Sequence, residues 1–322
     1  MKTRAHVTRR GFTLVELLVV ITIIGILAGL ALVAIPQAVG RVKEGAITAE
    51  LAQIEAAVNQ FKNDHGAYPP DLNAAYYPAD TDRQGAISSF LRKTSPRIAA
   101  ADYAVEYDPS DSDELAVIQT LELAGIVSPN AAAGTIVDGV LKLDRIGPAE
   151  ALVVFLSGFS SDVERPFTGE GDRKRYFDFK VERLQDLDND GWLEYYPSGV
   201  EAPYIYFNSR SYVNGSAVAR FPFDPSGSAF SDVGQARPYF QVLGSTSGFA
   251  NPKSFQIICA GIDGHFGDYS SDYAGSPNAS AFKIYPSGLD NSSFSDSIPY
   301  TTDDRDNITN FAQGPLRNKE PE

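Results

Sequence analysis

The chain has 322 residues, 43% of them hydrophobic, with 27 Lys+Arg against 41 Asp+Glu, a formal net charge of -14, three histidines and one cysteine. That apolar share fills a core and excludes wholesale disorder, and the acidic balance argues against nucleic-acid binding, whose affinity comes from clustered Lys and Arg. So few thiols and imidazoles exclude a disulfide framework and a Cys- or His-rich metal centre, which leaves carboxylates and hard cations such as calcium.

Residues 1–11, MKTRAHVTRRG, carry Lys2, Arg4, Arg9 and Arg10 and no acid, whereas residues 12–35 hold one charge, Glu16. As a helix, those 24 residues rise about 36 Å, enough to cross a hydrocarbon core of about 30 Å. The basic flank predicts a cytoplasmic N-terminus with everything after residue 35 facing outward. Three readings compete: a signal peptide cut after the apolar core, a plain anchor, and a segment cut before the core. A signal peptide has an apolar core of only about 7–15 residues, and here the small residues near 31–34 lead into Pro36 and further helix. A plain anchor leaves Glu16 unpartnered in the membrane, at about 2.5–3.5 kcal/mol.

The stretch RRGFTLVE, residues 9–16, resembles the processing site of type IV prepilins and type II secretion pseudopilins. By that resemblance a prepilin peptidase removes the leader 1–11 after Gly11 and methylates the new amino terminus of Phe12. Glu16 then pairs with the terminal amine of a neighbouring subunit as copies of the chain and other pseudopilins assemble on an inner-membrane platform. No nucleic acid is expected as a partner.

Beyond the transmembrane segment 12–35 the helix continues, with Pro36, Gly40 and Gly45 as soft points. Ile47, Leu51, Ile54, Val58 and Phe61 recur every three or four residues, which makes 36–63 an amphipathic half-helix with one face to cover. It ends before His65-Gly66 and the turn at Tyr68-Pro69-Pro70, and FKNDHGAYPP, residues 61–70, also resembles this region of major (G-type) pseudopilins. Residues 64–175 read as an insertion of helices and loops, with helices predicted over 84–93, 114–125 and 148–157. From 176 to 322 the chain is β-rich, with strands predicted over 176–181, 203–208, 238–243 and 254–260. The fold class expected is α+β: a pilin-like fold, a long N-terminal helix packed on an antiparallel sheet, with an enlarged head.

Two segments carry candidate metal chemistry. Residues 186–194, DLDNDGWLE, have the form D-x-D-x-D-G-x-x-E, in which oxygens of Asp186, Asp188 and Asp190, the Trp192 carbonyl and Glu194 surround calcium and the glycine allows the sharp turn. Pro197 stands at the twelfth position, where an EF-hand has glutamate, so this is a calcium-type loop without the flanking helices; an acidic turn held by its own side chains is the alternative. AGIDG, residues 260–264, and DDRDNITNF, residues 303–311, are similar to the last strands of G-type pseudopilins. That resemblance implies a second calcium site from Asp263, Asp304, Asp306 and Asn307, with Asn307 where the family usually has aspartate.

Cys259 sits in an apolar run and reads as core, His65 and His265 as turn residues beside glycine, and Trp192 as a packing anchor. No nucleophile elbow, Walker loop, dinucleotide fingerprint or H-E-x-x-H motif occurs. The expected function is therefore structural rather than enzymatic: a subunit of a type IV pilus-like or type II secretion filament that serves protein secretion from the inner membrane, with its head in the periplasm. A minor or adhesin-like pilin, or a membrane-anchored periplasmic binding protein or enzyme, is the alternative.

Overall fold

The computed structural model describes residues 12–104, 106–222, 229–243, 246–269, 280–288 and 293–319. The chain divides into two compact units, Met1–Lys43 and Glu44–Glu322; the second is called the head below. The long helix α1 covers Leu14–His65 and contains Pro36 without a break. In its apolar stretch the large side chains are exposed, Leu14 at 78% and Ile24 at 58% among them, and α1 is the one helix among the described residues long and apolar enough to cross a membrane.

From Glu44 onward α1 behaves as an ordinary amphipathic helix. The predicted stripe Ile47, Leu51, Ile54, Val58 and Phe61 is buried, together with Ala57. Phe61 is fully enclosed, with the rings of Phe155, Phe159 and Tyr176 standing edge-on to it at 5.2–6.2 Å. Glu50, on the same half of the helix, accepts from the Tyr204 hydroxyl at 2.8 Å, the Tyr195 hydroxyl at 3.0 Å and the Arg183 guanidinium.

Four shorter helices follow: α2 (Asp80–Thr94), α3 (Ser112–Leu123), α4 (Pro129–Ala132) and α5 (Ala151–Leu156). All six residues of α5, ALVVFL, are buried, as expected of a helix apolar on every face. The strands are β1 (Glu106–Tyr107), β2 (Leu141–Lys142), β3 (Leu184–Gln185), β4 (Glu194–Tyr195), β5 (Ile205–Asn208), β6 (Val213–Asn214), β7 (Ala217–Val218), β8 (Phe240–Leu243), β9 (Thr246–Phe249), β10 (Phe255–Cys259), β11 (Phe282–Tyr285), β12 (Ser297–Ile298), β13 (Ile308–Thr309) and β14 (Gly314–Pro315). One four-stranded sheet has the order β14-β13-β10-β5 and is antiparallel throughout. A second, β12-β11-β8-β9, is mixed: β11 pairs parallel to both β12 and β8. The α+β, pilin-like class stands, with this mixed sheet added to the head.

The predicted strand at 176–181 does not form. The Tyr176 N–H donates instead to Leu156 O at the end of α5. Phe177 and Phe179, which gave the segment its alternating pattern, both turn onto the Tyr195 ring.

The turn after α1 is latched to β5. Pro69 O accepts from the Tyr206 hydroxyl at 2.9 Å and from Asn208 Nδ2 at 2.7 Å. Beside it Asp71, 1% exposed, accepts from Asn208 N–H at 2.9 Å and from the Ser211 hydroxyl. Burial pushes the Asp71 carboxyl up to about 6, with these hydrogen bonds pulling the other way. Its folded pKa lies above the unfolded value of about 3.9, so its contribution is fully present below about pH 4 and is lost as pH rises through 6. Relative to Asp71→Asn, the parent should therefore lose about 2 kcal/mol of unfolding free energy between pH 4 and pH 7. Denaturant unfolding of both proteins across that range checks this.

Candidate functional site

At the N-terminal end, Gly11 lies outside the described residues, and Phe12 is 76% exposed. Thr13 and Glu16 cap α1 reciprocally. The Thr13 hydroxyl oxygen accepts from Glu16 N–H at 3.2 Å, while Glu16 Oε2 accepts from the Thr13 N–H and hydroxyl, both at 2.8 Å. This is a capping box, and its T-x-x-E signature was readable at 13–16. Glu16 thus has a local partner within its own chain.

In the head, the loop between β3 and β4 is closed by an antiparallel hairpin with Gln185 opposite Glu194, where an EF-hand has helices. Asn189 (φ 58°) and Gly191 (φ +100°) take the left-handed region, and a Cβ on Gly191 would meet Leu141 Cδ1 at 2.8 Å. The loop is fastened to residues 126–142: Ser128 N–H donates to Gly191 O at 2.9 Å, Val137 N–H to Asn189 O at 2.8 Å, and Trp192 Nε1–H to Lys142 O at 2.8 Å. Trp192 is fully buried, as its reading as a packing anchor requires.

Asp186, Asp188 and Asp190 each place a carboxylate oxygen within 4.8 Å of the others, and Asp188 belongs equally to a second such group with Glu194 and Glu150. Glu150 is the residue that sequence reasoning missed. It comes from the N-cap of α5, 3% exposed, with Oε2 accepting from Gly147 N–H at 2.7 Å. The one signal for it was an acid set directly before a wholly apolar run.

Protein donors take one oxygen of each loop carboxylate. Asp186 Oδ2 accepts from the Ser128 hydroxyl at 2.5 Å, Asp190 Oδ1 from Trp192 N–H at 2.8 Å, and Glu194 Oε2 from Leu187 N–H at 3.3 Å. Asp186 Oδ1 and Glu194 Oε1 are buried with no hydrogen-bond partner. Among the described residues, no lysine or arginine is ion-paired with any of the five acids; Lys142 and Arg145 both pair with Asp138. Burial, then the charge of Asp188, pushes Glu150 up to about 8. Glu194 and Asp190 are held well above the carboxylate range by burial and then by their acidic neighbours, and Asp188 is raised by burial and Asp186.

The C-terminal pair of turns does come together. Asp306 Oδ2 accepts from Ile262 N–H at 2.7 Å and Asp263 N–H at 3.2 Å, and a Cβ on Gly261 (φ +72°) would strike the Asp306 carboxyl at 2.4 Å. Burial first, then the charges of Asp306 and Asp303, pushes Asp263 up to about 6 against its bond from His265 N–H. Asp304 departs from the expectation. Its Oδ2 meets the Lys283 ammonium in a fully buried ion pair and also accepts from Thr301 N–H and hydroxyl, so a lysine charge takes the place that the resemblance gave to a cation. Lys283 comes from β11, in the stretch between the two turns. Asn307 turns its amide inward, Nδ2 donating to the Tyr239 hydroxyl and Phe266 O at 3.0 Å each. Among the described residues, Asp263, Asp304 and Asp306 form no group of converging ligand oxygens.

The remaining singled-out residues are structural. Cys259 is buried in β10, and burial pushes its thiol up to about 12. His65 is the last residue of α1 rather than a turn residue, with its ring against Phe61 and Phe159. His265 Nδ1 lies 3.1 Å from Asp303 Oδ2.

A long apolar helix with a capped N-terminus, continuing as the amphipathic helix of an α+β head, defines a pilin-like chain with one candidate membrane span among the described residues. Residues 8–32 match the family model of the prokaryotic N-terminal methylation motif. The chain is 38% identical over 79 residues to a fimbrial protein of Neisseria meningitidis, 24% of this chain and 45% of that one. It is 40% identical over 67 residues to the fimbrial protein EcpC of Eikenella corrodens (21% and 44%), and 40% identical over 62 residues to the type II secretion system core protein G of Pseudomonas aeruginosa (18% and 42%). The chain spans less than half the length of these curated relatives. No solved structure matches. The chain thus carries the prepilin methylation motif and type IV pilin and pseudopilin relatives, matched over part of its length.

Proposed function

We propose that this protein is a structural, non-catalytic subunit of a type IV pilus-like or type II secretion pseudopilus filament. The observation that carries the reading is the exposed apolar half of α1, which begins at a methylation motif and holds one charge, Glu16. An apolar surface of this length is stable only in lipid or against other such helices. In this reading a prepilin peptidase cuts between Gly11 and Phe12 and methylates Phe12. The processed chain then waits in the inner membrane with its head in the periplasm until an assembly platform packs it against other subunits, in the service of protein secretion.

Mass spectrometry of the mature protein tests the first step. The expected N-terminal peptide begins with methylated Phe12; an intact Met1, or a start near residue 35, would overturn the proposal. The size of the head, residues 44–322, favours a minor or adhesin-like subunit as a second reading. Filaments that still form, with altered length or adhesion, when the chain is deleted would select it.

A further inference from the structure

We propose that Glu150, Asp186, Asp188, Asp190 and Glu194 together bind one calcium ion, and that the ion fastens the β3–β4 loop to the start of α5. The inference stands independently of the filament reading. An acidic loop alone would not carry it, because the Asx-type bonds inside such loops satisfy the same side chains in water. Here the second observation is Glu194: 0% exposed, one carboxylate oxygen held by Leu187 N–H and the other buried without a partner in the group it forms with Glu150 and Asp188. A buried acid of this kind ionises only with a compensating charge. Nothing among the described residues provides one by ion pairing.

The donor set selects the ion. Five carboxylates and no nitrogen or sulfur suit a hard cation. Calcium takes about six to eight oxygen ligands, whereas magnesium usually keeps several waters and is held by one or two carboxylates, so a set of five protein carboxylates suits calcium. Glu150 makes the site more than a loop, because it belongs to an element 36 or more residues earlier in the chain. The same hairpin carries Arg183 and Tyr195 to Glu50 on α1, so the ion would hold α5, the hairpin and the long helix in one connected set.

The sole tryptophan supplies the assay. Full-length protein in detergent, stripped with EGTA, is titrated with terbium(III) while Trp192 is excited; only an ion near this loop gives strong sensitised emission. Saturable emission that calcium displaces is expected, with calcium competing at least tenfold more weakly in Glu150→Gln and Glu194→Gln. At a hundredfold excess over the dissociation constant, calcium should raise the melting temperature of the parent by about 5–10 °C. Without calcium, Glu194→Gln should melt no lower than the parent, since the amide oxygen can still accept from Leu187 N–H and adds no buried charge, and its calcium shift should fall by more than half. Three results would overturn the proposal: no terbium emission together with no melting shift at millimolar calcium; an unchanged shift in both variants, which places the ion elsewhere; or variants that melt lower in EGTA while binding calcium as the parent does, which makes the acids structural only.

Discussion

Glu16→Gln is expected to abolish filament assembly while leaving the monomer inserted in the membrane. Glutamine at the third helical position still accepts from Thr13 N–H, so the capping box and the start of α1 survive. In the filament proposed above, what disappears is the negative charge that the resemblance assigns to the terminal amine of an adjoining subunit. Leaving that ammonium unpaired in an apolar setting costs about 3–5 kcal/mol, roughly a 10²- to 10⁴-fold weaker association. Glu16→Ala loses the cap as well and should lower monomer yield in the membrane fraction. Sheared filaments, weighed against membrane-fraction monomer, separate the two effects. Normal assembly of Glu16→Gln would confine Glu16 to capping its own helix.

Arg183→Met is expected to destabilise the head by about 3 kcal/mol, a fall of about 6–12 °C in melting temperature. The Arg183 and Glu50 side chains are 12% and 15% exposed, and the guanidinium lies 4.4 Å from the centre of the Tyr195 ring. Removing the arginine leaves a largely buried carboxylate with only two tyrosine hydroxyls. Because the penalty is that of an orphaned charge, Glu50→Gln added to Arg183→Met should recover most of the loss: the amide oxygen still accepts from tyrosine and carries no charge. If the double variant is less stable than the single one, the ion pair itself is the stabilising element.

Local periodicity made part of this molecule legible. Helix α1 was expected over 13–63 and runs from Leu14 to His65, because an unbroken apolar run and then a three-and-four stripe leave little choice of structure. Strands expected at 203–208, 238–243 and 254–260 appear as β5, β8 and β10, short apolar runs between turn residues. What stayed hidden depends on partners distant in sequence. The parallel pairing of β11 with β8 has no local signature, and neither does the meeting of Lys283 with Asp304. The acidic loop was visible from its D-x-D-x-D-G spacing, since Asp186, Asp188 and Asp190 lie at alternate positions of one short segment. Glu150 was not, since nothing in its neighbourhood announces that α5 starts beside that loop. The aromatics at 177 and 179 misled for the same reason: alternation of large rings signals a sheet face only if a neighbouring strand is there to receive it.

The polar anchors of α1 also set a timetable. Glu50 waits for Arg183, 133 residues later, and Glu55 for Asn310 Nδ2, 255 residues later. At a synthesis rate of about 5–20 residues per second, those intervals are roughly 7–27 s and 13–51 s. Throughout the first of them the stripe from Ile47 to Phe61 has little of its eventual cover, since Phe155 and Phe159 are made late and Tyr176 later still. Asn310 also receives the Ile257 N–H, so closure against α1 awaits residues made long after the helix itself. A nascent chain with an uncovered apolar face for that long is exposed to aggregation and proteolysis.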